Sequence, residues 1–501
     1  MLNARESGVL LHPTSLPSAF QIGDLGPGAY TFVERLAQAH QSWWQILPVT
    51  PPGHGGSPYA STSAFASNIA LIDPLDLQRR GLVSAQQVDA LRAPFSDRAL
   101  LERAARAKRA LLEQAWATWS TQPEDPDFEQ FCQREASWLD EWAAFAALKE
   151  DQDHAPWMRW PQPLKQRQPD ALKEALERLA PRVRFERFVQ WIFQQQWDAL
   201  RAHARAHGVK LLGDIPIFVA MDSADAWAKR ALFLFDARGV PSVVAGVPPD
   251  YFSATGQKWG NPLYDWPAHQ QQDYAWWVQR VRRATQLVDV VRIDHFRGFE
   301  AYWEVPADAP TAETGRWVKG PGDELFVALE RQLGEVPFVA EDLGLITQEV
   351  HDLRLRHNLP GMKVMHFAFG DYDNDPDHAF LPHTYPKHCV AYAGTHDNDT
   401  TRGWFDSLDP HTQHHVRTYL SSSNEDLVTN LLRRLLGSNA NLVVLAAQDL
   451  FDLPTQARMN VPATANGNWS WRMSPQQLDD HEAWSALARH TQAAHRTGAP
   501  Q

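Results

Sequence analysis

Arg292 and Asp294 stand two residues apart at the end of an apolar, β-branched run, DVVRIDHFRG (Asp289–Gly298). In an extended strand that spacing puts both side chains on one face. Other apolar runs also turn polar where they end: VKLLG at Asp214, PFVA at Glu341 and Asp342, CVAYAGT at His396, Asp397 and Asp399, and NLVVLAA at Gln448 and Asp449. Buried carboxylates are costly unless they are paired or used. Several carboxylates with an Arg and a His, and without a Gly-x-Ser-x-Gly elbow, a nucleophilic Cys or a phosphate loop, suit glycoside chemistry. It takes one carboxylate as nucleophile and one carboxylic acid as proton donor. Asp294, beside Arg292, is the group that stays ionised. Glu341, after Phe338, Val339 and Ala340, is the less compensated group and the candidate acid. Asp397 is a third carboxylate able to hold sugar hydroxyls and stabilise an oxocarbenium-like charge. Each signal has a plainer reading. Arg292 and Asp294 make a structural ion pair, Glu341-Asp342 an acidic turn, Asp214 a cap, and His396–Asp399 a solvated turn. Their recurrence at several strand ends favours a catalytic mouth.

Such residues need a scaffold that gathers strand ends. Eight apolar runs qualify as strands: Gly8–Pro17, Trp43–Pro52, Val209–Val219, Asp289–Gly298, Pro337–Gly344, Met362–Gly370, Cys389–Asp399 and Asn441–Leu450. Helical patterns lie between most of them, one stopping at Gly208 and another at Gly334, both suited to a helix C-cap. Continuous apolar strands alternating with helices predict a parallel sheet covered on both faces. Eight units predict a (β/α)8 TIM barrel spanning 1–501 as a single catalytic domain, with its active site at the strands' C-terminal ends. The doubly wound open sheet is the alternative, but no glycine-rich fingerprint follows the first strand. Two stretches exceed a simple barrel. Residues 75–182, with a capping-box pattern at Ser84 and Gln87, read as an inserted helical subdomain. Residues 240–274, rich in Gly, Pro and aromatics, read as an ordered, substrate-covering loop region.

Composition narrows the partners. The net charge is −13, which argues against a nucleic-acid surface. No run reaches the length of a membrane helix and the N-terminus lacks a signal-peptide h-region, so a cytoplasmic protein with no membrane partner is expected. Cys132 and Cys389 are the two cysteines, giving neither a disulfide framework nor zinc spacing. Most of the 21 tryptophans are expected in the core, although flat aromatic faces also suit sugar rings.

The motifs RIDHFRGF, AEDLG, GTHDNDTTRGW, GDIPIFVAMDSADAW and GVPPDYFSATGQKWGNPLYDW, with LLHPTSLPS, GHGGSPYASTSAF and ARMNVPATANGNWSWR, resemble the amylomaltases. These are 4-α-glucanotransferases of the α-amylase clan of barrels. The resemblance runs from about Gly8 to about Trp471. It implies Asp294 as nucleophile, Glu341 as general acid/base and Asp397 as transition-state stabiliser, and no separate C-terminal β-domain. It also implies that Arg292, Asp214, His295 and His396 support the glucosyl unit, that Ser57 and Tyr59 touch the sugar at the scissile bond, and that Gln257 and Trp259 meet glucan from a lid. Asp371 and Asn466 match further sugar positions; ordinary packing is the alternative for Tyr59. The implied partners are α-1,4-glucans, maltooligosaccharides and glucose. The implied state is a monomer or weak homo-oligomer without metal or organic cofactor. The competing readings are an α-glucan hydrolase and a non-catalytic sugar-binding barrel.

Overall fold

The computed structural model describes residues 2–249, 253–370, 375–423, 426–464 and 466–498. Their strands, in chain order, are β1 (Glu6–Leu10), β2 (Trp43–Gln45), β3 (Lys210–Pro216), β4 (Val243–Val247), β5 (Gln257–Pro262), β6 (Val290–Asp294), β7 (Ala301–Pro306), β8 (Arg316–Lys319), β9 (Phe338–Ala340), β10 (Gly361–Val364), β11 (Cys389–Tyr392) and β12 (Leu442–Ala446). Eight of them form one parallel sheet in the order β10-β11-β12-β1-β2-β3-β6-β9. The two edges meet where the Ala340 amide donates to the Pro360 carbonyl at 2.9 Å. This is a (β/α)8 barrel, and each of the eight apolar runs supplies one strand.

The strands are shorter than the runs that announce them. Trp43–Pro52 yields pairing only over Trp43–Gln45. The remainder bends away as the loop that carries Ser57 and Tyr59. Val9, Leu212, Val291, Val339, Val390 and Val443 are wholly buried, as expected of strands covered by helices outside and side chains within. Helix Ala180–Ala206 ends at Gly208 (φ 72°) and helix Asp323–Leu333 at Gly334 (φ 79°), both in the left-handed conformation glycine adopts cheaply.

The seam between β9 and β10 relies on a side chain. Asp342 accepts the Met362 amide at 2.7 Å and pairs with Arg354 at 3.1 Å. A Cβ on Gly361 would lie 2.4 Å from the Asp342 carboxylate, so that position has room only for glycine.

Between β2 and helix Ala180–Ala206, which precedes β3, lie helices Leu101–Trp119, Pro126–Asp151, Pro169–Arg178 and shorter ones, with the Ser84–Gln87 capping box formed. The stretch read as a covering loop holds β4 and β5. They join β7 and β8 in a four-stranded antiparallel sheet, order β5-β4-β7-β8. Three of its strands carry polar or charged residues, and the fourth, Val243–Val247, is flanked by Pro and Ser, so the sheet lacks the isolated apolar runs that mark the barrel strands. Its strands β4 and β5 follow β3 in the chain and β7 and β8 follow β6, and the Trp259 ring on β5 meets His295, just past β6, which sets the sheet over the C-terminal ends of those strands.

Candidate active site

Asp214 on β3 pairs across the sheet with Arg292 on β6. Arg292, only 3% exposed, donates to Asp214 Oδ2 at 2.7 Å and pairs with Asp294 Oδ1 at 2.9 Å. The charges in the apolar strand are therefore linked in one chain, Asp214–Arg292–Asp294. Burial alone would lower the Arg292 pKa. The carboxylates of Asp214 and Asp294 outweigh it and hold the guanidinium well above its ordinary value. Tyr59 donates its hydroxyl to the same Asp214 oxygen at 2.8 Å. Burial, then Asp214, raises the Tyr59 pKa well above the usual, so the phenol keeps its proton.

Glu341 follows β9, one step past the Ile293–Ala340 pair, and so stands beside Asp294 at the same end of the barrel. Its Oε2 accepts the His295 amide at 2.7 Å and its Oε1 the Leu343 amide at 2.9 Å. Burial pushes the Glu341 carboxyl up to about 8. Arg292 opposes this, the Asp294 charge adds to it, and the two amides oppose it. Burial prevails, so Glu341 holds a proton at neutral pH. His295 sits in a left-handed conformation (φ 55°, ψ 49°) that a non-glycine residue adopts at a cost of about 1 kcal/mol or more. Burial, then Arg297, lowers its pKa to about 3, which makes it a neutral imidazole. The Trp259 ring meets it edge-on at 4.9 Å.

Asp397 comes from the loop after β11 and is 42% exposed. Two residues that sequence reading did not single out hold it. Asn460 donates to Asp397 Oδ1 at 2.6 Å, and Arg458 donates to the Asp397 carbonyl at 2.6 Å. Arg458 also donates to the Asn460 carbonyl at 2.7 Å, closing the clamp. Both lie in ARMNVPATANGNWSWR, a motif noticed as a whole, but only the folded loop reveals the pairing. His396 is buried, its pKa lowered chiefly by burial, and the Tyr59 ring stacks on it at 5.2 Å and 9°. One face of Tyr59 is thereby committed to His396.

A cleft of about 380 Å³ opens over Asp294, lined by Ser57, Tyr59, Phe218, Met221, Trp259 and Asn261 among others. Trp259 is 39% exposed, unlike the fully buried Trp44, Trp157, Trp197, Trp227 and Trp277. Its indole donates to Gln257 Oε1 at 3.2 Å, which orients both. Asn466 is exposed in the segment after Asn460. Asp371 lies outside the described residues. Three strand-end carboxylates serve structure. Asp342 closes the seam, Asp449 takes the Thr401 amide and hydroxyl, and Asp399 takes the Thr400 amide and Thr455 hydroxyl.

Among the described residues the one group of three His, Cys or acidic side chains close enough to share a metal ion is Glu34, His203 and His207, away from this mouth. Nor is any described helix long and apolar enough to cross a membrane.

Residues 11–478 match the family described as 4-alpha-glucanotransferase. A 4-alpha-glucanotransferase of Thermus thermophilus is 47% identical over 491 residues, covering 95% of this chain and 96% of its own. The chloroplastic/amyloplastic 4-alpha-glucanotransferase of Solanum tuberosum is 41% identical, covering 94% of this chain and 82% of its own. Among solved structures, the amylomaltase of Streptococcus agalactiae in complex with acarbose superposes with a TM-score of 0.95 at 36% identity, covering 98% of this chain and 99% of its own.

Proposed function

The chain belongs to the 4-alpha-glucanotransferase family and is a transferase acting on α-1,4-glucans; from that premise we propose that Asp294, Glu341 and Asp397 carry a retaining double displacement. Glu341 protonates the glycosidic oxygen while Asp294 attacks the anomeric carbon. The bond to the leaving glucan breaks, and its oxygen keeps the Glu341 proton. The glucosyl unit is left esterified to Asp294. The 4-hydroxyl of an acceptor glucan or of glucose then gives its proton to Glu341 and attacks the same carbon, and Asp294 leaves as carboxylate. Two inversions restore the α-linkage.

The observation that carries this reading is the opposite environment of two neighbouring carboxyls. Asp294 is held by Arg292 at 2.9 Å, and Glu341 is pushed up to about 8. The pair also regulates itself. While Asp294 is charged it helps keep the proton on Glu341. Once Asp294 is esterified that charge is gone, the Glu341 pKa falls, and the group becomes a base as the acceptor arrives. Asp397, clamped by Asn460, faces developing positive charge on the sugar. Asp214, Arg292, His295 and His396 frame the glucosyl unit, Ser57 and Tyr59 flank the bond to be broken, and Asn466 meets sugars farther out.

Transfer prevails over hydrolysis when water is kept out and acceptor contacts are strong. Gln257 and Trp259, on the antiparallel sheet over the mouth, supply those contacts, and residues 240–274 act as the substrate cover. Residues 75–182 act as an inserted helical subdomain. Maltodextrins are the substrates, and the protein works in the cytoplasm as a monomer or weak homo-oligomer. The unpaired Cys132 and Cys389, whose thiols burial pushes up to about 11 and about 12, suit a reducing compartment. Incubation with maltotriose tests the activity. Transfer gives glucose together with longer chains, whereas glucose and maltose without longer chains would identify a hydrolase, and unchanged maltotriose a binding protein.

A further inference from the structure

At the other end of the barrel, helix Ala180–Ala206 finishes with His203 in its last turn and His207 as the residue that caps it. A spacing of four places both imidazoles on one face, their ring centroids 4.2 Å apart. That face meets helix Pro27–Gln38, which presents Glu34. His203 Nε2 is 3.6 Å from Glu34 Oε1, too long for a hydrogen bond, and it is a buried nitrogen with no hydrogen-bond partner among the described residues. His207 Nδ1 bonds the His203 carbonyl at 2.9 Å, which leaves Nε2 as the outward ligand atom. A ligand atom from each of Glu34, His203 and His207 lies within 4.8 Å of the other two. The neighbouring cations are committed elsewhere. Arg35 bonds Leu478 and Asp479, while Arg201 and Arg205 pair with Asp289.

We propose that Glu34, His203 and His207 form a binding site for a divalent transition-metal ion, zinc above all, that ties the first helix of the barrel to the helix preceding β3. Two imidazole nitrogens and one carboxylate oxygen are a ligand set zinc accepts, with water completing a tetrahedron. Bonds of about 2.0–2.1 Å hold tetrahedral ligand atoms about 3.3 Å apart. The site therefore closes by up to roughly 1.5 Å, a movement that partly exposed Glu34 and exposed His207 make by side-chain rotation. A hydrogen bond from one imidazole nitrogen to a backbone carbonyl, as His207 makes, fixes the tautomer and orientation typical of a metal-bound histidine. Both helices end beside the N-terminal ends of the strands, opposite the catalytic mouth, so the ion braces the fold and takes no part in glucan chemistry.

The test uses the full chain without an affinity tag, stripped with a chelator, and zinc chloride as titrant in calorimetry. Cobalt serves as a second probe whose visible ligand-field spectrum reports tetrahedral coordination. Wild type is expected to bind one zinc per chain and to melt at higher temperature with zinc than without. His207→Ala, at an exposed position, should weaken zinc binding at least tenfold, remove the melting shift and the tetrahedral cobalt spectrum, and leave maltotriose turnover unchanged. Glu34→Gln should weaken binding in the same direction. No zinc binding by wild type, or equal binding by wild type and His207→Ala, would overturn the site, the latter placing zinc on other histidines.

Discussion

Replacing Glu341 by glutamine should change the sign of its effect on stability with pH. The folded protein holds the Glu341 proton up to about pH 8, whereas the ordinary value is 4.5. Between those values the folded state binds more protons than the unfolded state, so stability falls as pH rises through the interval and the full penalty is present above it. At about 1.36 kcal/mol per pH unit, the buried carboxylate costs roughly 3 kcal/mol at pH 7 and about 5 kcal/mol above pH 8, as upper bounds. The partial opening of the residue to the cleft reduces both. Glutamine is never charged and escapes that cost. It has its own, because its amide accepts from only one of the two backbone amides, His295 and Leu343, that now donate to Glu341. The other is left facing an NH2 group, at about 1–3 kcal/mol. The variant should therefore melt below wild type near pH 4.5 and above it at pH 8, the curves crossing between about pH 5 and pH 7. Differential scanning calorimetry of both proteins across that range measures the difference. A melting difference that does not vary with pH would refute the raised pKa and with it the assignment of Glu341 as the acid.

Asp294→Asn should abolish transfer and hydrolysis, because an amide cannot form the covalent intermediate; turnover within about tenfold of wild type would remove Asp294 from the nucleophile's role. Glu341→Gln should cripple turnover of maltotriose yet spare the first step on an α-glycosyl fluoride, whose leaving group needs no proton, and rapid-quench kinetics on both donors would expose equal losses if Glu341 acts otherwise. Asn460→Ala should lower kcat about 10²-fold with little change in melting temperature, since Asp397 loses the partner that aims it, and a wild-type kcat would mean that the loop orients Asp397 unaided. Trp259→Ala should raise the ratio of hydrolysis to transfer, read by chromatography of maltotriose products, whereas an unaltered ratio would deny the lid any part in choosing the acceptor.

The eight barrel strands were legible because each is buried on both sides and reads as a continuous apolar run. Asp294, Glu341 and Asp397 stood out in the sequence because they end or follow such runs. The antiparallel sheet was not. Val243–Val247 is apolar but lies in a stretch crowded with Pro, Gly and Ser that reads as loop, Ala301–Pro306 carries Glu304 in its middle, and Gln257–Pro262 and Arg316–Lys319 are polar and partly exposed. Counting strand-end carboxylates also overstated the chemistry, since Asp342, Asp399 and Asp449 look the same in sequence as Asp294 and Glu341. Asp342, Asp399 and Asp449 are spent on partners that hold strands and loops together, whereas Asp294 lines the cleft and Glu341 stands beside it. Asn460 was hidden for the same reason, its relation to Asp397 spanning 63 residues.

The seam between β9 and β10 gives the barrel a preferred way to breathe. Every other pair of adjacent staves runs a ladder of paired residues, whereas here an amide, a carbonyl and the Asp342 carboxylate do the joining. Local opening should begin at that stave, and Glu341 lies between Ala340 and Asp342, on its very edge. A fluctuation too small to melt the core would then carry Glu341 out of register with Asp294. On heating, the enzyme would stop turning over before it unfolds, and the amides of Ala340 and Met362 would exchange with deuterium ahead of those in the remaining staves.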